Sequence, residues 1–488
     1  MRFSLIGAKP RPQNLPLRVE RPHLIGLLAG AFIGASAVIL ALLTVLISPL
    51  ISLGLVLGIG AGLYILTNLQ AGLYVVIAMI ALLPFATLPF KLALTPTLLD
   101  MALGGFLLVY LFEWMTGHRT RFRFVPAHAL IVTFIGFMVF SFVAGLGHAS
   151  ITANVLRKFV ELVISVSLPL VLVDVCRDGR FLRRLGTVIL LCGVLQALIG
   201  IGLFLMNDTT AERLLNSLGR VGYPQGGVIR YVEDDPSLGE RAIGTWVDPN
   251  AYGGYLLMIA SLAGVQALSK HSLMGKRWIG LGVFGLVSVA VLLTQSRGAW
   301  LALAVAALLV AVLRYRWLLA AGAVGGLILL SLPFMQSYVA RLTEGLTGED
   351  LATQMRLGEY KDALTLIGRY PLIGVGFAGT PDRDIYLGVS STYLKIANQT
   401  GLIGLSLFVL TLLEVFRYGL AHWRALTRSP EILTVWLGCA AGIAGVMVAG
   451  VVDHYYFNLD FHASATMLWV FVGMALAATR ISVETPQP

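Results

Sequence analysis

The sequence predicts an all-α polytopic membrane protein of about 12–14 transmembrane helices, and three observations carry that expectation. Of 488 residues, 57% are hydrophobic and only 12% charged, with a mean hydropathy of +0.84. A soluble domain carries about twice that charged fraction. The apolar residues arrive in runs near the ~20 residues that cross a bilayer. Short basic clusters then recur on alternate connections, the distribution that sets membrane topology.

Taken in order, the runs fall near 24–46, 50–67, 71–90, 99–115, 127–147, 159–175, 185–206, 251–268, 278–295, 299–314, 317–333, 401–417, 432–452 and 463–479. A tail over residues 1–23 carries Arg2, Lys9, Arg11, Arg18 and Arg21. It shows no evident small-residue cleavage site, so the first run reads as a retained helix rather than a removed signal peptide. Residues 24–206 then form an N-terminal transmembrane bundle, followed by a first long loop at 207–250. Helices over 251–333 enclose a Ser-Arg-Gly turn, and a large loop with short helices spans 334–400. Helices over 401–480 and a tail over 481–488 complete the chain.

The basic clusters fix the sides. Arg119, Arg121 and Arg123; Arg177, Arg180, Arg183 and Arg184; Lys270, Lys276 and Arg277; Arg314 and Arg316; and Arg417, Arg424 and Arg428 share a side with the N-terminal tail. That side reads as cytoplasmic. The two long loops, the Arg297 turn and the segment from Asp453 to His462 fall on the opposite, extracytoplasmic side. The formal charge of +10 is scattered among these connections, which excludes a nucleic-acid footprint. Cys176, Cys192 and Cys439 sit in or beside apolar runs without metal-ligand spacing and read as small buried hydrophobes.

Four segments carry polar chemistry. In Arg241-Ala-Ile-Gly-Thr-Trp-Val-Asp-Pro-Asn250, the Asp-Pro-Asn is a helix-start signal with Asn250 as a cap. Helix initiation does not account for Arg241 near the membrane entrance. In Thr294-Gln-Ser-Arg-Gly-Ala-Trp300, Arg297 occupies a tight hairpin between two spans, with Ser296 beside it. Such a residue is either an interfacial snorkelling arginine or a fixed cation for a phosphate-bearing ligand.

The third segment, from Gln354 to Ile367, reads as an amphipathic helix with Arg356 and Tyr360 on one face and Glu359 beside them. It leads into the glycine-rich Tyr370–Gly379, which lacks the strand–turn–helix setting of a nucleotide loop. The loop closes on Ser390-Ser-Thr-Tyr393. Fourth, Asp453-His-Tyr-Tyr-Phe-Asn-Leu-Asp-Phe-His462 reads as a polar site or an aromatic interface belt. Its spacing of acids and histidines matches no strong metal signature.

Together these segments, from Arg241 to the last span, resemble the O-antigen ligase and polymerase superfamily of bacterial membrane glycosyltransferases. The carriers are Arg241-Ala-Ile-Gly-Thr with Asp248-Pro-Asn250, Thr294-Gln-Ser-Arg297-Gly-Ala-Trp, Tyr370-Pro-Leu-Ile-Gly-Val-Gly, Tyr393-Leu and Thr400-Gly-Leu-Ile-Gly. The resemblance implies a GT-C-like enzyme of the inner membrane, with its active face extracytoplasmic. It implies an undecaprenyl-pyrophosphate-linked oligosaccharide donor, a glycan or lipid acceptor, and no metal, nucleotide or other cofactor. Arg297 and Arg356 match the positions that hold the donor pyrophosphate in that family. The substrate-binding set is Arg297, Arg356, Arg241, Asn250, Ser296, Ser390 and Tyr393.

One departure matters. Ligases of the family carry a His-Asn pair before the Tyr-Leu, and this chain has Ser390 and Ser391 there, with Gln399 where many members have Glu. Serine is no general base at neutral pH without activation. Asp453, His454 and Glu359 are the candidate replacements, and ligase and polymerase chemistry both stay open. A polysaccharide assembly complex is a further partner class. A rival reading is a transporter of a small anion or lipid-linked glycan, for which Glu161, Asp174 and Glu414 are the acids in or bordering the spans. A scaffold for capsule assembly is a third, and it does not require Arg297 and Arg356 to converge.

Overall fold

The computed structural model describes residues 67–88, 95–333, 351–380, 382 and 388–484, with isolated positions 34, 38, 62, 64, 336, 339, 340 and 343. The chain divides into two units at Thr67, and the helices below all belong to the second, from Asn68 onward. The runs expected at 24–46 and 50–67 lie outside the described residues, apart from isolated helical positions.

The described residues of the second unit are mostly helical. Its first half contains α1 (Leu69–Leu82), α2 (Leu98–Met115), α3 (Ala127–Gly145), α4 (Ala153–Val175), α5 (Gly179–Leu205) and the short α6 (Asp208–Ser217). A two-residue hairpin follows, β1 (Arg230–Tyr231) against β2 (Glu240–Arg241). Then come α7 (Pro249–Leu268), α8 (Arg277–Leu293), α9 (Arg297–Leu313), α10 (Trp317–Ser331) and α11 (Leu351–Arg369). The chain ends with α12 (Thr392–Ala421), α13 (Trp423–Arg428), α14 (Pro430–Val452) and α15 (His462–Glu484). Seven of these are long and apolar enough to cross a membrane: α2, α3, α5, α7, α12, α14 and α15. The protein is an all-α, multi-pass membrane protein.

Burial sorts the helices. α7, α14 and α15 are apolar on all sides and almost wholly buried, packing on one another at the centre of the unit. A helix with no polar stripe belongs in such a position. Around them, α2, α3, α5 and α12 bury one face and expose the other, with Phe112, Phe140, Leu198 and Leu410 pointing outward. Small residues set the close approaches at the centre, as where Gly442 of α14 lies against the Phe471 ring of α15.

One end of the bundle is tied by ions. Arg119 bonds to Glu113 at 2.6 Å and to Asp174 at 2.8 Å, and Arg123 reaches the carbonyl of Arg177 and the carboxylate of Glu484. Arg183 pairs with Glu431. These contacts join connections that the charge pattern assigns to one side. Of the acids weighed as transport groups, Asp174 is spent on Arg119, Glu161 on Arg157 and Glu414 on Arg417.

At the other end, the helix expected to begin near residue 401 begins at Thr392 and is broken at Gly401 (φ 66°). The break strands carbonyls that lipid could not satisfy. The glycine-rich turn satisfies them: Val375 N–H donates to Asn398 O at 2.8 Å and Gly376 N–H to Gln399 O at 3.0 Å, while Pro371 O accepts from the freed Leu402 N–H at 2.7 Å. The Ser141 hydroxyl of α3 lies 2.8 Å from Ile373 O and 2.6 Å from Gln399 O, joining both. Gly376 (φ 80°) also presses on Gly145, so that a Cβ built on Gly145 would lie 2.6 Å from Val375 O. The turn is a plug for a broken helix rather than a phosphate cradle.

Gly145→Ala should therefore destabilise the protein by about 1–3 kcal/mol through overpacking against backbone. Gly136→Ala on the same helix, whose Cβ would meet nothing within 4 Å, should be neutral or stabilising. Thermal unfolding of the two variants in detergent reads the difference, and equal Tm values would refute the plug.

Candidate functional site

The hairpin, the α8–α9 turn, α11 and the segment after α14 meet at the end opposite the Arg119 cluster. Arg241 on β2 is the first anchor. Its Nε donates to Thr294 O at 2.9 Å and an Nη to Asn250 Oδ1 at 2.6 Å, so it joins the end of α8 to the first turn of α7. Asp248 caps α7, accepting from Asn250 and Ala251 N–H. Arg230 stands directly across the hairpin from Arg241, two like charges in register. Such a pair is unfavourable unless an anion lies near it.

The turn between α8 and α9 is strained and held. Gln295 has φ 51°, and its side-chain amide donates to Glu240 O at 3.2 Å, tying the turn to the hairpin. Ser296 caps α9 through Ala299 N–H. Val247, just before the α7 cap, has φ 64°, a costly conformation for a β-branched residue. Two such positions flanking one site are the kind of stored strain found around functional groups.

Asp453 is the meeting point. It ends α14, is buried, and places Oδ1 3.5 Å from an Nη of Arg356 on α11. Gly298 of the turn backs onto it closely: a Cβ there would lie 2.8 Å from Asp453 Oδ2. Its backbone carbonyl accepts from both N–H and hydroxyl of Thr392, the first residue of α12. The N-termini of α9 and α12 thus both adjoin this segment, and helix N-termini favour negative charge. Burial pushes the Asp453 carboxyl up to about 7, against the pull of Arg356 and Arg241.

The neighbouring groups divide sharply. Burial and the nearby Lys395 push His454 down to about 4, so its ring is neutral at pH 7. Asn458 Oδ1 accepts from Asp460 N–H, which turns the Asn458 amide NH2 to His454 Nδ1 at 2.8 Å. Nδ1 is therefore an acceptor already engaged, and the ring proton sits on Nε2. Glu359 accepts from Ser390 N–H at 2.8 Å, while the Tyr360 hydroxyl reaches Ser390 O at 3.0 Å and Val451 O at 3.1 Å. The Glu359 bond ties the two ends of the loop together, and the Tyr360 hydroxyl fastens it to α14. The Tyr393 hydroxyl donates to Met447 O at 2.6 Å, away from the carboxylate.

Of the residues singled out from sequence, Arg241, Asn250, Ser296, Arg356 and Asp453 are thus brought together with the turn that carries Arg297. Ser390, Glu359 and Tyr393 form the wall beside it. Sequence reading passed over Arg230, Lys395 and Tyr455. Tyr455 is buried, with Asp248, Asp453 and Asn250 around its hydroxyl. A cation at the outer end of an apolar run was the available signal for Lys395. Nothing local marks Arg230, which only the hairpin register reveals.

Residues 281–409 match the family model described as O-Antigen ligase. The matched stretch runs from α8 into α12 and contains the Arg297 turn, Arg356, Glu359, Ser390 and Tyr393. Arg241, Asn250, Asp453 and His454 lie outside it and join it in space. No curated protein matches the chain. The match supports the O-antigen ligase/polymerase superfamily, the family of the resemblance drawn from the motifs.

The raised Asp453 carboxyl has a measurable consequence. Between its ordinary range near 3.8 and about 7, the folded state holds a proton that the unfolded state has lost. Stability should fall as pH rises across that window. Asp453→Asn should remove this component of the slope, as read by thermal unfolding at a series of pH values. An unchanged slope would show that Asp453 does not titrate there.

Proposed function

Starting from an O-antigen ligase/polymerase-type membrane glycosyltransferase of polysaccharide biosynthesis, we propose that this chain moves or polymerises an undecaprenyl-pyrophosphate-linked oligosaccharide at the extracytoplasmic face of the inner membrane. The observation that carries the reading is the convergence of Arg241, the Arg297 turn and Arg356 around Asp453. The acceptor is a glycan or lipid hydroxyl.

In this reading the acceptor oxygen attacks the anomeric carbon of the donor sugar, and the bond to the pyrophosphate oxygen breaks. Arg297 and Arg356 neutralise the departing pyrophosphate, with Arg241 and the α9 N-terminus behind them. Fixed cations in a water-poor site stabilise such a leaving group with little reorganisation. Asp453 takes the acceptor proton. A carboxyl near 7 is well matched to that task, since proton transfer is most effective with a pKa near the working pH. His454, neutral and with Nδ1 engaged, donates from Nε2 and does not act as the base. Glu359 and Ser390 shape the wall of the site. Arginine chemistry of this kind needs no nucleotide. The paired acids in the spans, each matched to an arginine, argue against a transport path.

Arg297→Ala and Arg356→Ala should each reduce transfer by at least about a hundredfold while protein abundance is unchanged. Wild-type polymer in either variant would sink the clamp. Asp453→Asn should likewise abolish transfer, and wild-type turnover should rise with pH through about 7 as the carboxyl becomes a base. His454→Ala should retain measurable activity. Purified protein supplied with a lipid-linked repeat unit, scored for chain extension against transfer to a second acceptor, separates polymerase from ligase. Cysteines placed at Asp382 and Arg180 should label from opposite sides of the membrane, and labelling from one side would overturn the orientation.

A further inference from the structure

A second polar cluster, apart from the arginine site, joins the starts of two helices to the body of a third. Asp100 belongs to the first turn of α2, Glu161 to α4, and His462 is the first residue of α15. His462 Nδ1 lies 3.3 Å from Asp100 Oδ1 and 3.9 Å from Glu161 Oε2. One donor atom from each residue falls within 4.8 Å of the other two. His462 is only 8% exposed, and neither ring nitrogen has a hydrogen-bond partner of acceptable geometry; Asp100 Oδ1 is likewise buried and unmatched.

The remaining oxygens are already spoken for. Arg157 bonds to Asp100 Oδ2 at 3.1 Å and to Glu161 Oε1, and the Thr97 backbone N–H donates to Asp100 Oδ2 at 2.7 Å. These contacts turn Asp100 Oδ1 and Glu161 Oε2 towards the imidazole. Outer contacts that orient ligands in this way accompany metal sites. The Arg157 guanidinium serves both carboxylates at once. A cavity of about 340 Å³, lined by Pro96, Leu103, Leu156 and Val160, opens onto all three residues and offers an entry path with room for a water.

From this geometry we infer that Asp100, Glu161 and His462 bind a divalent transition-metal ion, zinc or manganese. An imidazole with two carboxylates suits such ions better than calcium or magnesium, which take oxygen ligands alone. Tetrahedral ligands on bonds of about 2.0–2.1 Å stand roughly 3.3–3.4 Å apart, so the His462–Asp100 spacing already fits and Glu161 closes by a small rotation. The ion staples the starts of α2 and α15 to the third turn of α4. Phe461, next to the ligand His462, packs on Tyr455 at 4.5 Å between ring centroids, so the staple steadies the segment that carries Asp453. The site stands independently of the transferase reading.

The test uses the full chain, purified in detergent without a polyhistidine tag and dialysed against metal-free buffer. Mass spectrometry of the metals should find roughly one zinc or manganese per chain, falling to background in His462→Ala and Glu161→Gln. Chelator-stripped wild type should gain several degrees in Tm on adding zinc or manganese, and less on adding calcium or magnesium. Should the variants fail to fold, cobalt(II) added to stripped wild type should give the visible bands of a low-coordinate nitrogen–oxygen site. Background metal content, with no Tm gain and no cobalt spectrum, would overturn the inference.

Discussion

Backbone polar groups inside a bilayer must be satisfied within the protein, and this constraint governs the structure. It makes the unit helical and leaves irregular backbone only where protein covers it. The break at Gly401 is the instructive case. Its stranded carbonyls at Asn398 and Gln399 are met by Val375 and Gly376, and the Ser141 hydroxyl joins them from α3. Because the plug belongs to the large loop, closing the helix also fixes where that loop sits. Arg356, on the helix just before the plug, is thereby held against Asp453.

The same economy appears around the arginines. Arg241 bonds to one backbone carbonyl and one side-chain amide, joining two helix ends. Asp453 is buried with its carbonyl held by Thr392, so its side chain has little freedom. Burial raises its carboxyl towards neutrality while Arg356 and Arg241 oppose the rise. A group so balanced suits proton transfer more than ion pairing. In the proposed mechanism Asp453 takes the role that family likeness gives to a histidine at Ser390. Asp453 lies outside the family-matched stretch, on the far side of the large loop in sequence.

Much of the fold was legible in the sequence because hydrophobic run length and charge alternation are local properties. Most of the described helices begin and end within a few residues of the expected limits, but α1 stops at Leu82 in a run expected to reach residue 90, and α12 begins nine residues early. Its first turns, Thr392 to Thr400, mix Leu394, Ile396 and Ala397 with Lys395, Asn398, Gln399 and Thr400 and form no long apolar run, so packing reveals them as helix. The site was partly legible. Arg297 and Arg356 stand out as cations in unusual places, whereas Arg230 gains meaning only from its register with Arg241.

By itself, then, the sequence determined a membrane-embedded helical bundle, its basic side and the motifs of a family. These follow from composition and spacing within single segments. Tertiary structure alone decided which polar residues meet. Asp453 and Arg356 are separated by 97 residues, and Asp100 and His462 belong to the second and last of the described helices. No spacing rule connects such positions, since the contacts depend on how buried helices pack. For the same reason the acids and histidines of 453–462 show no metal spacing, while His462 finds its carboxylates on two other helices.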